Sequence, residues 1–252
     1  MSAEMGMNRT GVQTSPIDSK EAEQAAQAVP PTSTGGADDA LRIRADYARE
    51  APPIGTVPPP GSVRGVVTAA AQLLTGKSPA ALIDKLGQRL AFERSGTRLY
   101  EALLAKFDAT GSFDGGPSRE EIHAIHDDEL GHFHLLRRSM EGIGADPTAM
   151  TPGADVVGVA SLGLIQVITD PRTTLAQSLE AILIAELTDA DSWRRLIEVA
   201  EAYGQDDMAR DFRDAETVEV QHVARVRRWV DAAAQLEARG KMEEQPDQEE
   251  AA

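Results

Sequence analysis

The sequence contains no cysteine among its 252 residues. Disulfides, iron–sulfur clusters, thiolate zinc sites and a catalytic thiol are therefore excluded, and any metal must be held by carboxylate and imidazole. Aromatic residues are scarce, at 4%, which favours helices over strands. The sequence also lacks an uninterrupted apolar run of about eighteen residues and an N-terminal apolar export segment. We therefore expect a cytoplasmic protein that does not enter a membrane.

Basic residues are also fewer than acidic ones. Twenty-five Lys and Arg residues are outnumbered by 41 Asp and Glu residues, which gives a net charge of −16. Nucleic acid and anionic membranes would be repelled at long range, so neither is expected as a partner. The hydrophobic fraction of 41% is still enough, in a chain of this length, for the core of one or two domains.

Proline separates an arm from a body. Eight of the fourteen prolines lie in the first sixty residues, and we predict that residues 1–62 form a disordered Pro-rich arm to which a protein partner could bind. Residues 63–239 are predicted to form the folded body, beginning with a short helix at about 63–76. Residues 240–252 are predicted to be an acidic, disordered tail.

Four long helices are predicted in the body, at about 79–107, 119–142, 170–203 and 206–239. Ser78-Pro79 is a helix start, Ser118 to Glu121 is a capping box, and Asp170-Pro171 is a further start. Glycines follow the last two helices. A short helix at about 154–168 is expected in the long link between the second and third helices. The predicted fold is all-α: an antiparallel four-helix bundle of two hairpins joined by a long crossover.

Charged residues interrupt the apolar stripe of each predicted helix near its middle. They are Glu93 on the first helix, Glu129 and His132 on the second, Glu186 on the third, and Glu219 and His222 on the fourth. At 1.5 Å per residue, those of the first hairpin lie about 16 to 21 Å from its turn, and those of the second lie at matching heights. Buried carboxylates are costly unless they are paired or bind a metal. Four glutamates would neutralise two divalent cations, and one imidazole would complete the shell of each ion. This is the pattern of a two-metal carboxylate site.

The pattern resembles the dinuclear-iron signature of the ferritin-like superfamily, which includes ferritins, bacterioferritins, rubrerythrins and manganese catalases. The resemblance covers about residues 79–238 and rests on Glu93, Glu129-Leu-Gly-His132, Glu186 and Glu219-Val-Gln-His222. It implies a ferritin-like bundle in which Glu129 and Glu219 bridge two iron ions, while Glu93 and Glu186 are terminal ligands. We also expect a homo-oligomer.

Three further residues are candidates for supporting the ligands. Asp189, three residues after Glu186, is an extra ligand, an acceptor for a ligand imidazole, or a simple polar boundary residue. Tyr100 and His126 lie near the same level, although core packing and a surface position, respectively, are their plainer interpretations. A third Glu-x-x-His, ending at His123, is predicted to face solvent because nine residues at 100° each turn it away from Glu129.

The ligand types favour iron or manganese, since the set is rich in oxygen, has two imidazoles and has no sulfur. The leading hypothesis is a dinuclear non-haem iron oxidoreductase with ferroxidase-like activity, which oxidises Fe(II) with O₂ or H₂O₂ in iron handling or oxidative-stress protection. One alternative is a peroxide-detoxifying enzyme, either a catalase with two Mn ions or a rubrerythrin-like peroxidase with a separate electron donor. Another is a non-catalytic interaction scaffold whose arm is the functional element. A buried salt-bridge network without metal is the remaining interpretation of the six residues.

Overall fold

A computed structural model describes residues 16–28, 36–61, 65–66 and 78–240. Seven helices and no strand are present in these ranges, which confirms the predicted all-helical class for them. The chain divides into two compact units at Pro53. The predicted leading helix at about 63–76 falls outside the described residues except at positions 65 and 66, and residues 241–252 of the predicted tail also fall outside them.

The N-terminal unit contains two helices, α1 (Pro16–Ala28) and α2 (Ala37–Glu50), within the range 1–62 that the sequence predicts to be a disordered arm. Helix α2 has acidic residues in its first turn and Arg49 in its last turn, an order that complements the helix dipole. The prolines of the arm do not interfere, because Pro16 is the first residue of α1 and the others lie outside both helices. The many prolines of this unit therefore lie in the segments that connect its helices and not in the interiors of the helices.

The second unit contains five helices: α3 (Pro79–Thr110), α4 (Arg119–Gly142), α5 (Pro152–Thr169), α6 (Leu175–Ala202) and α7 (Asp206–Ala238). The predicted capping box opens α4, where the Ser118 hydroxyl accepts from the Glu121 N–H at 3.1 Å and the Glu121 carboxylate accepts from the Ser118 N–H at 2.9 Å. Gly204 and Gly240, which follow α6 and α7, have φ values of 67° and 63°, the left-handed conformation that commonly ends a helix.

The predicted start of α6 at Asp170-Pro171 is wrong by several residues. Asp170 is the C-cap of α5, and its carboxylate accepts from the N–H of Arg172 at 2.9 Å. The helix begins after Thr174, which forms a second capping box with Gln177. Lys106 of α3 donates to the carbonyl oxygens of Asp170 and Thr173 at 2.8 and 2.7 Å. These contacts make residues 170–173 a turn anchored to α3.

The four long helices contact one another in a closed ring. Helix α3 contacts α4 and α6, and α7 contacts both α6 and α4, while α5 packs across α3 and α6. Two apolar clusters fill the interior. One contains Leu86, Met140, Trp193 and Phe212; the other contains Leu103, Ile122, Leu179 and Val226. Each cluster takes residues from all four long helices. Along α4, α6 and α7 the predicted ligands lie between residues of the two clusters, and on α3 Glu93 follows Phe92 of the second cluster.

Residues 54–61, which the sequence places in the predicted arm, belong to the second unit. Val57 packs against the first apolar cluster, and the N–H of Gly61 donates to the carbonyl oxygen of Gly144 at 3.0 Å. The folded body therefore begins before residue 62.

Helix α5 is the one described helix long and apolar enough, by length and composition alone, to cross a membrane, with a mean hydropathy of 1.4 over 18 residues. Only 17% of it is buried. Helix α5 packs on α3 and α6. Its outward face exposes Val156, Val159 and Leu162.

Candidate metal centre

The six predicted ligands are all buried and lie together between the apolar clusters. They form two groups, in each of which one ligand atom per residue lies within 4.8 Å of the others: Glu93, Glu129, His132 and Glu219; and Glu129, Glu186, Glu219 and His222. Glu129 and Glu219 belong to both groups. We call the position beside Glu93 and His132 half-site 1, and the position beside Glu186 and His222 half-site 2. The arrangement provides two neighbouring cation positions with two shared carboxylates.

Helix geometry explains why these side chains converge. Residues three apart lie on the same helix face, so α4 presents Glu129 together with His132, and α7 presents Glu219 together with His222. Helices α3 and α4 come close enough beside them that a Cβ on Gly96 would overlap the Oε2 atom of Glu129. A glycine at position 96 therefore makes room for one of the shared carboxylates.

Eight side-chain atoms of this cluster make no hydrogen bond of regular geometry within the described part of the chain, although some lie within ion-pair distance of one another. They are Oε2 of Glu93, both carboxylate oxygens of Glu129 and Glu219, Oε2 of Glu186, and Nδ1 of His132 and His222. Buried polar atoms are nearly always partnered, because an unpartnered one loses its hydration without compensation. If each shared glutamate gives one oxygen to each half-site, the eight atoms divide into two sets of three oxygens and one nitrogen.

The distances between these ligand atoms are close to those expected when the atoms of each half-site surround one metal ion. In half-site 1, His132 Nδ1 lies 2.6 Å from Glu219 Oε1 and 4.0 Å from Glu93 Oε2. In half-site 2, His222 Nδ1 lies 3.4 Å from Glu219 Oε2, 3.6 Å from Glu129 Oε1 and 3.7 Å from Glu186 Oε2. Ligand atoms about 2.0 to 2.2 Å from one ion lie roughly 3 to 3.5 Å from each other. Most of the spacings thus need only small adjustments to hold a cation.

The two unshared glutamates each have one oxygen held and one oxygen free. Glu93 Oε1 accepts from Nε of Arg89 at 2.8 Å, and Glu186 Oε1 accepts from the hydroxyl of Tyr100. The other oxygen of each is unpartnered. Both carboxylates are therefore oriented to offer a single oxygen to the centre.

Arg89 was not among the residues singled out from the sequence, although it lies one helical turn before Glu93. It is buried, its Nη2 atom forms an ion pair with Asp189 Oδ1 at 2.7 Å, and its guanidinium lies 4.5 Å from the centre of the Phe92 ring. Asp189, predicted as an extra ligand, an imidazole acceptor or a boundary residue, belongs to neither group. Its charge offsets that of Arg89, and the charges of the four glutamates remain.

The imidazole of His222, a candidate ligand, has Asp128 as its hydrogen-bond partner, which sequence reasoning also missed. Its Oδ2 atom lies 3.1 Å from Nε2 of His222. A carboxylate on this nitrogen keeps it protonated and leaves Nδ1 free to bind a metal. Asp128 is outside the apolar stripe of α4, and its side chain is 49% exposed, so its only sequence signal is its position next to Glu129.

The remaining histidine candidates lie outside the buried cluster. His123 is 51% exposed, as predicted for the histidine of the third Glu-x-x-His. His126 contacts Asp127 at 3.1 Å and belongs to a partly exposed group with His123 and Asp127. Its polar partners are Asp127 and Glu101, and none of the six clustered residues is among them. Tyr100, by contrast, is buried and contacts Glu186 directly.

Burial and mutual repulsion control the protonation of the carboxylates. Burial, together with the charge of Glu219, raises the pKa of Glu186 to about 8, and burial with neighbouring carboxylates raises the pKa of Glu129 well above its usual range. Burial also acts on Glu219, but the imidazoles of His132 and His222 outweigh it and lower the pKa of Glu219 to about 2. Burial opposes the charge of His222, whereas Glu219 and Glu186 raise its pKa to about 9. The cluster without metal therefore retains protons at neutral pH.

Comparison of the chain with family models, curated proteins and solved structures gives no match. What the structure establishes is a helical protein whose clustered, buried carboxylates and histidines could bind a dinuclear metal site. The identity of the metal rests on ligand chemistry alone.

Proposed function

We propose that the protein is a ferritin-like, dinuclear non-haem iron oxidoreductase that oxidises Fe(II) with O₂ or H₂O₂. The observation that carries the proposal is the division of eight unpartnered ligand atoms into two equivalent sets that share Glu129 and Glu219. A salt-bridge network is the competing explanation, because His132 Nδ1 also lies 2.6 Å from Glu219 Oε1. The ring of four long helices is compatible with a ferritin-like four-helix bundle.

Ligand chemistry supports iron, with manganese as the alternative. Six oxygens, two imidazole nitrogens and no sulfur suit these metals. Two divalent cations would balance the four glutamates, because Arg89 and Asp189 offset each other. When bound, two Fe(II) ions would supply one electron each, which with two protons would reduce one H₂O₂ to two waters or one O₂ to one H₂O₂.

The protein's own residues would orient the ligands and exclude water. Arg89 and Tyr100 hold the carboxylates of Glu93 and Glu186 in one orientation. The two apolar clusters lie on either side of the six clustered residues. Burial and the Glu186 charge raise the pKa of Tyr100 well above its usual value, so its hydroxyl stays protonated and continues to donate to Glu186. Preorganised ligands of this kind avoid a rearrangement at the moment of reaction.

The test is an anaerobic Fe(II) titration of metal-free protein followed by rapid mixing with O₂ or H₂O₂. We expect two Fe(II) per chain and oxidation within seconds. Glu93→Gln should lower the stoichiometry, whereas Glu120→Gln, an exposed change on α4, should not. Protein from its own cells that contains two Mn ions and disproportionates peroxide would establish the manganese alternative. Failure to bind any divalent metal would leave a salt-bridge network as the explanation.

A further inference from the structure

The outer surface of α6 and α7 carries a groove of about 380 Å³ whose floor is apolar. Val220 and Leu187 line it and are 57% and 46% exposed, and Ile184, one turn before Leu187 on α6, is 56% exposed. Apolar side chains grouped in this way on a protein surface commonly mark a binding site.

Two opposite charges flank this apolar floor on α7. Glu216 and Arg227 line the groove, and neither has an ion-pair partner among the described residues. The other two charges of the groove, Asp191 and Arg194, pair with each other. Eleven residues are about three helical turns, so Glu216 and Arg227 lie on the same face of α7. Val220, Val223 and Ala224 lie between them.

We call the face of α7 from Glu216 to Arg227 the α7 stripe. Its charges and apolar residues are complementary to those of a second copy of the stripe that runs in the opposite direction. Within one copy of α7, Glu216 and Arg227 are about 16 Å apart along the helix. If two copies of α7 cross in antiparallel orientation, Glu216 of each copy therefore faces Arg227 of the other. The apolar residues of the two copies then meet in the middle. A two-fold axis produces this arrangement, because an isologous interface places the same surface patch on both subunits.

We propose that the groove between α6 and α7, defined by Leu187, Glu216, Val220 and Arg227, is the interface of a two-fold symmetric homodimer. Unpaired charges of opposite sign at the two ends match a second, reversed copy of the same stripe. An anionic lipid surface is a poorer fit, since it offers no positive charge to pair with Glu216. The proposal is independent of the metal.

Charge exchange at the two ends gives a sharp test with the full chain. Wild-type protein should sediment as a dimer, and Arg227→Glu or Glu216→Arg should raise the dimer dissociation constant at least tenfold, because each places two like-charged contacts in the interface. The double variant E216R/R227E restores both contacts in reverse and should return the constant to within about threefold of wild type. Circular dichroism of each variant confirms that the fold is retained.

Three further variants complete the test. Val220→Glu should dissociate the dimer. Arg228→Glu, an exposed change on α7 outside the groove, should leave it intact, as should Leu162→Glu on the exposed face of α5. A monomeric wild type, double-swap protein that stays as dissociated as the single variants, or dissociation by Leu162→Glu but not by Val220→Glu would overturn the proposal.

Discussion

Arg89 and Tyr100 each hold one carboxylate oxygen of the two unshared glutamates, but with different charges. In half-site 1 a guanidinium holds Glu93 at 2.8 Å, and its positive charge opposes a nearby cation even though Asp189 offsets part of it. In half-site 2 a neutral phenol holds Glu186, and Asp128 supports His222 from behind. The ligand atoms are alike in the two half-sites, but the electrostatic surroundings are not.

We therefore predict that half-site 2 binds its cation more tightly than half-site 1. Calorimetric titration with Mn(II), which does not react with oxygen on this timescale, should show two steps that differ at least tenfold in affinity. Glu186→Gln should remove the tight step, and Glu93→Gln should remove the weak one. Two identical steps, or loss of the tight step in Glu93→Gln, would contradict the assignment.

A second prediction separates the clustered histidines from the exposed one. His132→Ala and His222→Ala each remove a nitrogen ligand, so each should bind fewer than two metal ions per chain and lose rapid Fe(II) oxidation. His123→Ala should match wild type in both measurements. Full activity in His222→Ala, or an equal loss in His123→Ala, would contradict the two-group arrangement.

At the scale of the helix, Gly96 sets how closely α3 approaches the carboxylate of Glu129. Alanine is the better helix former by about 1 kcal/mol, but at position 96 its Cβ would displace Oε2 of Glu129. We predict that Gly96→Ala keeps the apo fold and weakens metal binding at least tenfold, as measured by calorimetry and thermal unfolding.

Gly131 is the matched control, because it lies in α4 two residues from Glu129 and a Cβ there has open space. Gly131→Ala should raise the free energy of unfolding by about 0.5 to 1 kcal/mol and leave metal binding unchanged. Equal metal affinities in the two variants would mean that the close approach at Gly96 does not matter.

The elements that were predictable from the sequence are those with a local signal. The capping box of α4 and the glycines after α6 and α7 set helix ends through contacts within a few residues. The start of α6 was misplaced because Asp170-Pro171 imitates a helix start, while a turn anchored by Lys106 occupies that position. Only the folded chain brings Lys106 to this turn.

The same distinction applies to the candidate site. Periodicity and spacing were enough to group the six residues, because each interrupts an apolar stripe at the same height. Arg89 and Asp128 required three-dimensional contacts. A charged residue one turn from a ligand looks like a solvated surface residue, and Arg89 became interpretable only when its ion pairs with Glu93 and Asp189 were seen.

For the molecule as a whole, protons and metal ions should compete for the cluster. The folded-state pKa values of Glu186 and His222 are raised to about 8 and 9. A group with a raised pKa stabilises the fold below its unfolded value, and this contribution is lost as the pH rises through its folded value. The stabilising protonation of Glu186 and His222 in the metal-free protein therefore disappears between about pH 5 and pH 9.

We predict that the melting temperature of the metal-free protein falls between pH 6 and pH 9, and that bound metal largely removes this fall by replacing the protons. Calorimetry of both forms at several pH values measures the difference, which should widen as the pH rises. Glu186→Gln should reduce the slope of the metal-free form. A melting temperature that does not change on complete removal of metal would contradict a shared site.

The nearly complete burial of all six candidate ligands, drawn from four helices, also has a kinetic consequence for any metal that they bind. An ion bound to Glu129 and Glu219 is attached to α4 and α7, and the unshared ligands attach it to α3 or α6 as well. Its departure must therefore await a transient separation of these helices. The residence time of the metal would then depend on how often the four helices separate transiently, and not on the strength of any single metal–ligand bond. A change that makes this separation rarer should therefore slow both metal release and hydrogen exchange at the helical turns that carry the six residues.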